Sequence, residues 1–326
     1  MIPLSVLDLV SIREGGNAAQ ALAETAAAAK AAEEAGYKRY WTAEHHGMDG
    51  LVGGAVSVVL AHIGHATSKI RIGSGGIMLP NHNPLVIAEQ FGTLNALFPG
   101  RVDLGLGRAP GADSRIAHAL RKDLMRAADS FPQDVLELQA YFTGDPSLPI
   151  KAAVADGAKV DMWLLGSSLF GAQLAAHLGL PYAFASHFAP ALLDSALSSY
   201  RENFRPSEVL SKPHAMVAMT VLAAETDEEA EFLSTSMDQS FVAFRTNSPS
   251  QLKPPVAGYR DTLQPAQVAM LEQMRAVRAV GGPETIRREV TQLVERTGAD
   301  ELIVAGSVYD QAARHRSLAI TAEALA

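Results

Sequence analysis

The sequence contains no cysteine, and this absence excludes several kinds of chemistry at once. Disulfide bonds, thiolate nucleophiles and zinc sites with cysteine ligands are all ruled out. The chain also lacks any run of basic residues, and its 27 Lys and Arg against 35 Asp and Glu give a net charge of −8. An acidic chain of this kind is not expected to bind nucleic acid or an anionic membrane surface.

Long apolar segments are missing as well. The most alanine-rich stretch, residues 18–35, carries Glu24, Lys30, Glu33 and Glu34, so it cannot span a membrane. The N-terminus has no basic segment followed by a long apolar run, so we expect no signal peptide. The expected location is cytoplasmic, and the lack of thiols fits an enzyme that handles oxidants.

Short apolar strand patterns alternate with helix-length segments along the whole chain. The strand patterns lie at residues 3–9, 37–43, 70–79, 102–106, 161–165, 182–186, 215–223 and 302–305. The first helical segment has Asn17 as a suitable N-cap and Gly36 as a suitable residue just beyond its end. Eight strand–helix units predict an α/β fold, a (β/α)8 TIM barrel, formed by a single domain over residues 1–326.

Two segments depart from the regular alternation. A helix is expected over residues 121–142, and Pro132 is expected to break or restart it, because proline lacks the N–H that an interior helical residue donates. Residues 239–282 contain four prolines and separate the seventh strand from the eighth. Long insertions of this kind are usually lids or disorder, so we expect a lid-like insertion with a helix near residues 265–279.

The active site of such a barrel lies at the C-terminal ends of its strands. Those ends carry small, hydroxyl-bearing and ionisable residues at positions 8 and 10, 44–46, 75–77, 107–108, 166–168 and 186–187. The densest polar group, Glu44-His45-His46, follows the second strand. The third and fourth strands both end in glycines, with Arg108 beside them. This pattern indicates a pocket where the backbone comes close to a ligand.

Four motifs carry a specific resemblance to a known family. They are YWTAEHH (40–46), GSGGIMLPNHNPLVIAEQ (73–90), FPGRVDLGLGR (98–108) and GSSLFGAQLAAHLGLPYAFASHF (166–188). In the order and spacing of these motifs, the sequence resembles the bacterial luciferase-like flavin monooxygenases. The resemblance implies an enzyme that uses FMNH2 and O2 to oxidise a small organic substrate through a peroxyflavin intermediate.

The resemblance also implies roles for individual residues. His45 matches the catalytic histidine, and a histidine with a near-neutral pKa can exchange a proton as oxygen is activated. Gly75 and Gly76 match a pair of small residues that carry a non-proline cis peptide against the flavin ring. Arg108 matches an arginine near the flavin. Gly107 stands where bacterial luciferases have a cysteine, which implies a roomier pocket.

Residues 166–168 precede a helix that is expected to begin near Phe170. Hydroxyls and free N–H groups at a helix N-terminus suit an anion such as the FMN phosphate, although Ser168 is also the residue type of a simple N-cap. Placing the phosphate after the fifth strand follows from the resemblance, which makes four residues here cofactor-binding: Gly166, Ser167, Ser168 and Gly171. A further cationic contact is a candidate role for Arg121 or Arg126.

Several other polar residues are candidates for the substrate side of the pocket: Glu44, His46, His82 and His187. Strand alternation places Glu44 and His46 on the opposite side of the chain from His45. His62 and His65 lie one turn apart on a helix, and we expect them at the surface or at an interface.

Three alternatives stay open at this point. The same fold could bind the deazaflavin F420 and transfer hydride, or the protein could bind a flavin without catalysis. A metal-dependent hydrolase using Glu44, His45 and His46 is disfavoured because adjacent histidines do not lie on one face, and no metal is predicted. There is no G-x-G-x-x-G unit for a nicotinamide.

The family resemblance also implies partners. It implies a homodimer, formed through the helices after the second and third strands, and a separate flavin reductase. It identifies no substrate.

Overall fold

The computed structural model describes residues 2–108, 114–120, 124–248 and 250–326, and only the backbone of residues 114, 115, 117, 124–127 and 274. The strands in these ranges are β1 (Leu4–Asp8), β2 (Arg39–Thr42), β3 (Arg71–Met78), β4 (Val102–Gly107), β5 (Asp161–Gly166), β6 (Tyr182–Phe184), β7 (Ala215–Ala223), β8 (Arg278–Gly281) and β9 (Glu301–Ala305). The α-helices are α1 (Ala18–Glu34), α2 (Val56–Ala66), α3 (Pro84–Leu97), α4 (Ser114–Ala119), α5 (Leu124–Thr143), α6 (Leu169–Leu178), α7 (Leu193–Glu202), α8 (Asp227–Arg245), α9 (Pro265–Met274), α10 (Pro283–Thr297) and α11 (Gln311–Ala324).

Eight of these strands close into a parallel barrel, in the order β1-β2-β3-β4-β5-β6-β7-β9. The ring closes because β6 pairs with β7, β7 with β9, and β9 with β1. Helices connect the strands and cover the outside of the barrel, where the apolar residues of the strands pack against them. The predicted TIM barrel is therefore confirmed.

Residues 239–282 contain more regular structure than the sequence suggested. They include the end of α8, the whole of α9 and a ninth strand, β8, which was not predicted. β8 pairs in parallel with the C-terminal half of β7, at Thr220 to Ala223, just beyond the residues of β7 that pair with β6. The helix predicted near 265–279 is present as α9 but ends at Met274, and residues 278 and 279 belong to β8 instead. The role of the insertion as a lid stays a prediction.

Pro132 does not break the helix in which it lies, so this expectation was wrong. α5 runs without interruption from Leu124 to Thr143 with Pro132 inside it. Proline removes one helical N–H, the one that would reach the carbonyl of Ala128 four residues earlier. That carbonyl accepts a hydrogen bond from Nε of Arg108 at 3.3 Å instead.

The interior of the barrel is filled by side chains that alternate with the outward-facing ones. Trp41 and Trp163 pack edge to face, with ring centroids 5.4 Å apart. Nearer the C-terminal ends of the strands the interior residues are smaller, and they include Ala43, Ala183 and Ala218. The two large rings therefore occupy the middle of the barrel, and small residues predominate with Leu9 and Leu165 towards the C-terminal ends of the strands.

A buried ionic network fills the N-terminal end of the barrel. The Arg39 guanidinium pairs with Glu301 at 2.6 Å and with Asp103 at 2.9 Å. Burial alone would raise the pKa of Glu301, but a hydrogen bond from His214 and the charge of Arg39 bring that pKa down to about 2. Glu301 therefore stays ionised, and its contacts and those of Arg39 connect β1, β2, β4 and β9 at the N-terminal end of the barrel.

Local signals account for several element ends. Asn17 caps α1 by accepting a hydrogen bond from the Gln20 N–H, and Gly36 takes the left-handed conformation just after the helix, as the sequence predicts. β6 is shorter than expected and ends at Phe184. Its predicted last residue, Ser186, turns out of the sheet and donates to the Ala218 carbonyl.

Candidate active site

A cluster of polar side chains gathers around Glu44, just beyond the end of β2. The Glu44 carboxylate is buried and accepts hydrogen bonds from His46 Nε2 at 2.7 Å and from His82 Nε2 at 2.9 Å. The Met78 N–H at the end of β3 also donates to it, at 2.9 Å. One carboxylate therefore fixes the loops that follow two neighbouring strands.

These hydrogen bonds decide the charge of Glu44. Burial on its own would raise the pKa of this carboxyl group, but hydrogen bonds from His82, the Met78 N–H and His46 bring the pKa below its ordinary value. The group is therefore a carboxylate at neutral pH. It organises the loops and is not poised to donate a proton.

The same cluster bears on the metal hypothesis. The ligand atoms of Glu44, His46 and His82 lie within 4.8 Å of one another, a spacing that a divalent cation could also use. The set differs from the Glu44, His45 and His46 considered from sequence, because His82 replaces His45. Strand alternation explains the difference, since Glu44 and His46 lie on one side of the chain and His45 on the other.

His45 and His187 follow β2 and β6, which stand on opposite sides of the barrel. Nδ1 of each ring is buried and has no hydrogen-bond partner among the described residues. Burial lowers the pKa of His45, and it lowers the pKa of His187 to about 4. Both imidazoles are therefore neutral at neutral pH and keep an unpaired ring nitrogen at the rim of the barrel.

The glycines of β3 and β4 lie where strand backbones approach closely. The peptide bond between Gly75 and Gly76 is cis, as expected. A Cβ at Gly75 would lie 2.6 Å from Cδ1 of Leu7, and one at Gly76 would lie 2.7 Å from the Gly105 carbonyl oxygen. The backbone contact thus already requires a glycine at position 76, whereas a larger residue at position 75 would require the Leu7 side chain to move. Contact of either glycine with a cofactor stays a prediction.

Gly107 is different from its neighbours. A Cβ built there would have the Ile77 carbonyl oxygen, at 3.8 Å, as its nearest neighbour in the described part of the chain. Gly107 ends β4 beside Met78 of β3 and Leu165 of β5. Within the described ranges, the space that a larger side chain would occupy here is therefore free of other atoms, and the roomier pocket expected at this position stays a prediction.

Arg108 is held in place from two directions. Its guanidinium carbon lies 4.0 Å from the centre of the Phe170 ring, and its Nε donates to the Ala128 carbonyl at 3.3 Å. No carboxylate of the described residues forms an ion pair with it. Because Phe170 is in the first turn of α6, Arg108 stands as a fixed cation beside the N-terminus of that helix.

The N-terminus of α6 follows directly on β5. Ser168 occupies the N-cap position with an extended backbone, but its side chain makes no capping hydrogen bond within the described part of the chain. The simple capping role is therefore not seen. Gly171 packs closely on Gly166, since a Cβ at Gly171 would lie 3.4 Å from the Gly166 Cα. This contact seats the helix on the strand, and cofactor binding by these residues stays a prediction.

Some predicted residues lie apart from these groups, and some contributors were missed. His62 is exposed on α2, as expected, whereas Arg121 and the side chain of Arg126 lie outside the described residues. Phe170 and the Ala128 carbonyl were not among the candidates. The signal that could have revealed the second is the proline at 132, which frees a helical carbonyl.

Comparison with known proteins identifies the family. The sequence profile described as "luciferase-like monooxygenase" matches residues 2–301. A protein of Escherichia coli strain K12 named "Luciferase-like monooxygenase" is 47% identical over 317 residues, covering 97% of this chain and 95% of its own. The N-acetyl-S-alkylcysteine monooxygenase of Bacillus subtilis strain 168 is 38% identical over 238 residues, which cover 71% of this chain and 70% of its own. The chain belongs to the luciferase-like monooxygenase family.

Solved structures agree with this assignment. The crystal structure of apo-MsnO8 matches with a TM-score of 0.94 and 34% identity, over 99% of this chain and 98% of that chain. Two more distant structures share the fold alone. One is the oxygenating constituent of 3,6-diketocamphane monooxygenase from Pseudomonas putida in complex with FMN, with a TM-score of 0.73 and 17% identity over 100% of this chain and 98% of that chain. The other is an F420-dependent secondary alcohol dehydrogenase, with a TM-score of 0.75 and 15% identity over 100% of this chain and 99% of that chain.

These findings support an oxidoreductase of the monooxygenase type. Of these two structures of the same fold, one is in complex with FMN and the other with an F420–acetone adduct. Across the described ranges, no helix is both long enough and apolar enough to cross a membrane.

Proposed function

We propose that this protein is a flavin-dependent monooxygenase that uses reduced FMN and O2 to oxidise a small organic substrate. The observation that carries the proposal is the position of Arg108, whose guanidinium lies 4.0 Å over Phe170 in the first turn of α6. A fixed cation beside a helix N-terminus with an unused N-cap hydroxyl suits a phosphate monoester. FMN ends in such a phosphate, and Gly166, Ser167 and Ser168 would bind it together with Arg108.

The rim of the barrel fits the rest of such a cofactor. Among the described residues, Nδ1 of His45 and of His187 is buried without a hydrogen-bond partner, and no atom lies closer than 3.8 Å to a Cβ at Gly107. Bound reduced flavin supplies the electrons that activate O2. Because burial lowers the pKa of His45, its neutral imidazole can accept a proton during the reaction and return it. Residues 239–282 would exclude water from the mouth, and the whole chain would act as one catalytic domain.

One relative supports a particular substrate class for this proposal. Since the N-acetyl-S-alkylcysteine monooxygenase of Bacillus subtilis is 38% identical over 71% of this chain, a thioether of this type is the first substrate to test. We extend the proposal to a cytoplasmic homodimer that receives reduced flavin from a separate reductase. Hydride transfer with F420 is the second candidate, because a dehydrogenase of the same fold uses that cofactor.

A binding and turnover experiment separates these possibilities. The two tryptophans, Trp41 and Trp163, both lie inside the barrel, so their fluorescence reports ligands at its mouth. Anaerobic titration with reduced FMN and with F420 identifies the cofactor. Turnover with a flavin reductase, heavy-isotope O2 and an N-acetyl-S-alkylcysteine then shows whether one labelled oxygen enters the product. F420 binding without oxygen incorporation would establish the second candidate.

The role of His45 has its own test. The variant His45→Ala is expected to lower turnover by about 10²–10⁴-fold, the usual contribution of a general acid or base, with little change in FMN affinity. The exposed His62 provides the control, because His62→Ala removes a histidine from α2 without touching the rim. Equal turnover in the two variants would remove His45 from the catalytic role.

A further inference from the structure

We infer that Pro132 is a positioning residue for Arg108, because it interrupts the hydrogen-bond ladder of α5 and so frees the Ala128 carbonyl to hold the guanidinium. The inference rests on the proposed function, in which Arg108 binds the cofactor phosphate. It adds a residue on another helix, outside the group of residues proposed to touch the cofactor.

The chemistry of the helix supplies the first step. In an α-helix, the N–H of residue 132 would donate to the carbonyl of residue 128. Proline has no N–H, so this carbonyl lacks its helical donor although α5 continues on both sides of Pro132. The donor that reaches it is Nε of Arg108, at 3.3 Å. The missing helical bond and the new side-chain bond therefore concern the same oxygen atom.

The geometry of the guanidinium supplies the second step. The Ala128 carbonyl engages Nε, while the Phe170 ring lies 4.0 Å from the guanidinium carbon and covers its face. One contact fixes the edge of the planar group and the other fixes its plane. An arginine restrained in this way loses less conformational entropy when it binds an anion than a free one would.

The position of Pro132 within its helix is unusual for a proline. Proline inside a helix normally destabilises it, and its common place is the first turn, where no N–H is needed. Pro283 occupies such a first-turn position in α10, but Pro132 lies well inside α5. Pro132 is expected to destabilise α5, but it also frees one carbonyl, and Arg108 binds that carbonyl. A role in positioning the arginine explains why a proline occupies this position.

The test is the variant Pro132→Ala, which restores the N–H and lets the helix reclaim the Ala128 carbonyl. Affinities for FMN and for riboflavin, which lacks the phosphate, are measured by quenching of tryptophan fluorescence, together with the melting temperature. We expect the FMN dissociation constant to rise about three- to tenfold, as for the loss of one oriented charged contact. The riboflavin constant should not change, and the melting temperature should stay equal or rise.

Three companion variants make the test decisive. Phe170→Leu should reduce the preference for FMN over riboflavin in the same way, and Pro283→Ala should leave it unchanged. In the background of Arg108→Lys, which keeps the charge but has no Nε–H group at the guanidinium position, Pro132→Ala should have no additional effect on that preference.

The outcomes separate the inference from the function on which it rests. If Arg108→Gln lowers the preference for FMN but Pro132→Ala does not, Pro132 does not position Arg108 and the phosphate role stands. If Arg108→Gln leaves the preference unchanged, both the phosphate role and the inference are overturned. A lower melting temperature, or an equal loss of FMN and riboflavin affinity in Pro132→Ala, would give Pro132 a purely structural role.

Discussion

Two glycines on β4 offer a matched pair of substitutions with opposite expected effects. A Cβ at Gly105 would lie 2.2 Å from the Ser74 carbonyl oxygen and 2.7 Å from Cδ1 of Leu165. At Gly107 the nearest described atom would be the Ile77 carbonyl oxygen, at 3.8 Å. Gly105→Ala is therefore expected to force β3 and β4 apart, whereas Gly107→Ala requires no movement of the described residues around it.

The size of each effect follows from these distances. Neither glycine has a positive φ, so alanine is compatible with the backbone at both positions. Replacing glycine at a compatible position stabilises a protein by about 0.4–1 kcal/mol, because the unfolded chain loses freedom. Overpacking a filled site costs about 1–3 kcal/mol. We expect Gly105→Ala to lower the free energy of unfolding by about 1–2.5 kcal/mol and Gly107→Ala to raise it by up to about 1 kcal/mol.

Thermal unfolding of both variants beside the wild type is the measurement. The Gly107→Ala methyl group would point into the space proposed for the cofactor, so FMN affinity is measured on the same samples and is expected to change. If Gly107→Ala lowered the melting temperature as much as Gly105→Ala, the space beside Gly107 would not be open. A Gly105→Ala protein as stable as the wild type would show that β3 and β4 can separate freely.

The remaining predictions concern ionisable groups. Glu44→Gln should lower the melting temperature, because hydrogen bonds to a charged group contribute about 1.5–3 kcal/mol each. Glu289→Gln, at an ion pair on the surface, is the control and should change the melting temperature little. An unchanged melting temperature in Glu44→Gln would show that its carboxylate does not hold the loops. His187 has a folded pKa of about 4 against 6.5 for the free group, so the unfolded chain binds the proton first as the pH falls. The free energy of unfolding should therefore fall as the pH drops from 6.5 to about 4. In thermal melts at a series of pH values, His187→Asn should show a weaker dependence of stability on pH over this range. The same dependence in the variant and the wild type would contradict a buried neutral His187.

The barrel could be predicted from the sequence because its signal is local and repeated. Each strand pattern and each helix pattern can be recognised within a short window, and Asn17 and Gly36 mark helix ends by their own chemistry. β8 could not be predicted because it has only four residues, which alternate between half-buried and buried, and because it follows an irregular segment with four prolines. Its strand character depends on pairing with β7, a contact that no local pattern contains.

The sequence named the three side chains of the Glu44 cluster as candidates, but it predicted their grouping only in part. Alternation correctly separated Glu44 and His46 from His45, because that rule acts between adjacent residues. The alternation rule could not predict that His82 joins Glu44. His82 belongs to the loop after β3, and it reaches Glu44 only because β2 and β3 pair. Pro132 shows the same limit, because the rule that proline breaks a helix fails where a distant arginine satisfies the freed carbonyl.

The ionic network of Arg39, Asp103 and Glu301 has a kinetic consequence. Since it fills one end of the barrel, the ligands of the proposed site would all have to enter and leave at the other end. A ligand that binds deep in such a chamber must arrive before one that binds nearer the rim, and it must leave after it. The enzyme would then show compulsory-order kinetics, with the deeper ligand bound first. The cause would be the ionic network that closes one end of the barrel, and not a residue that touches the substrate.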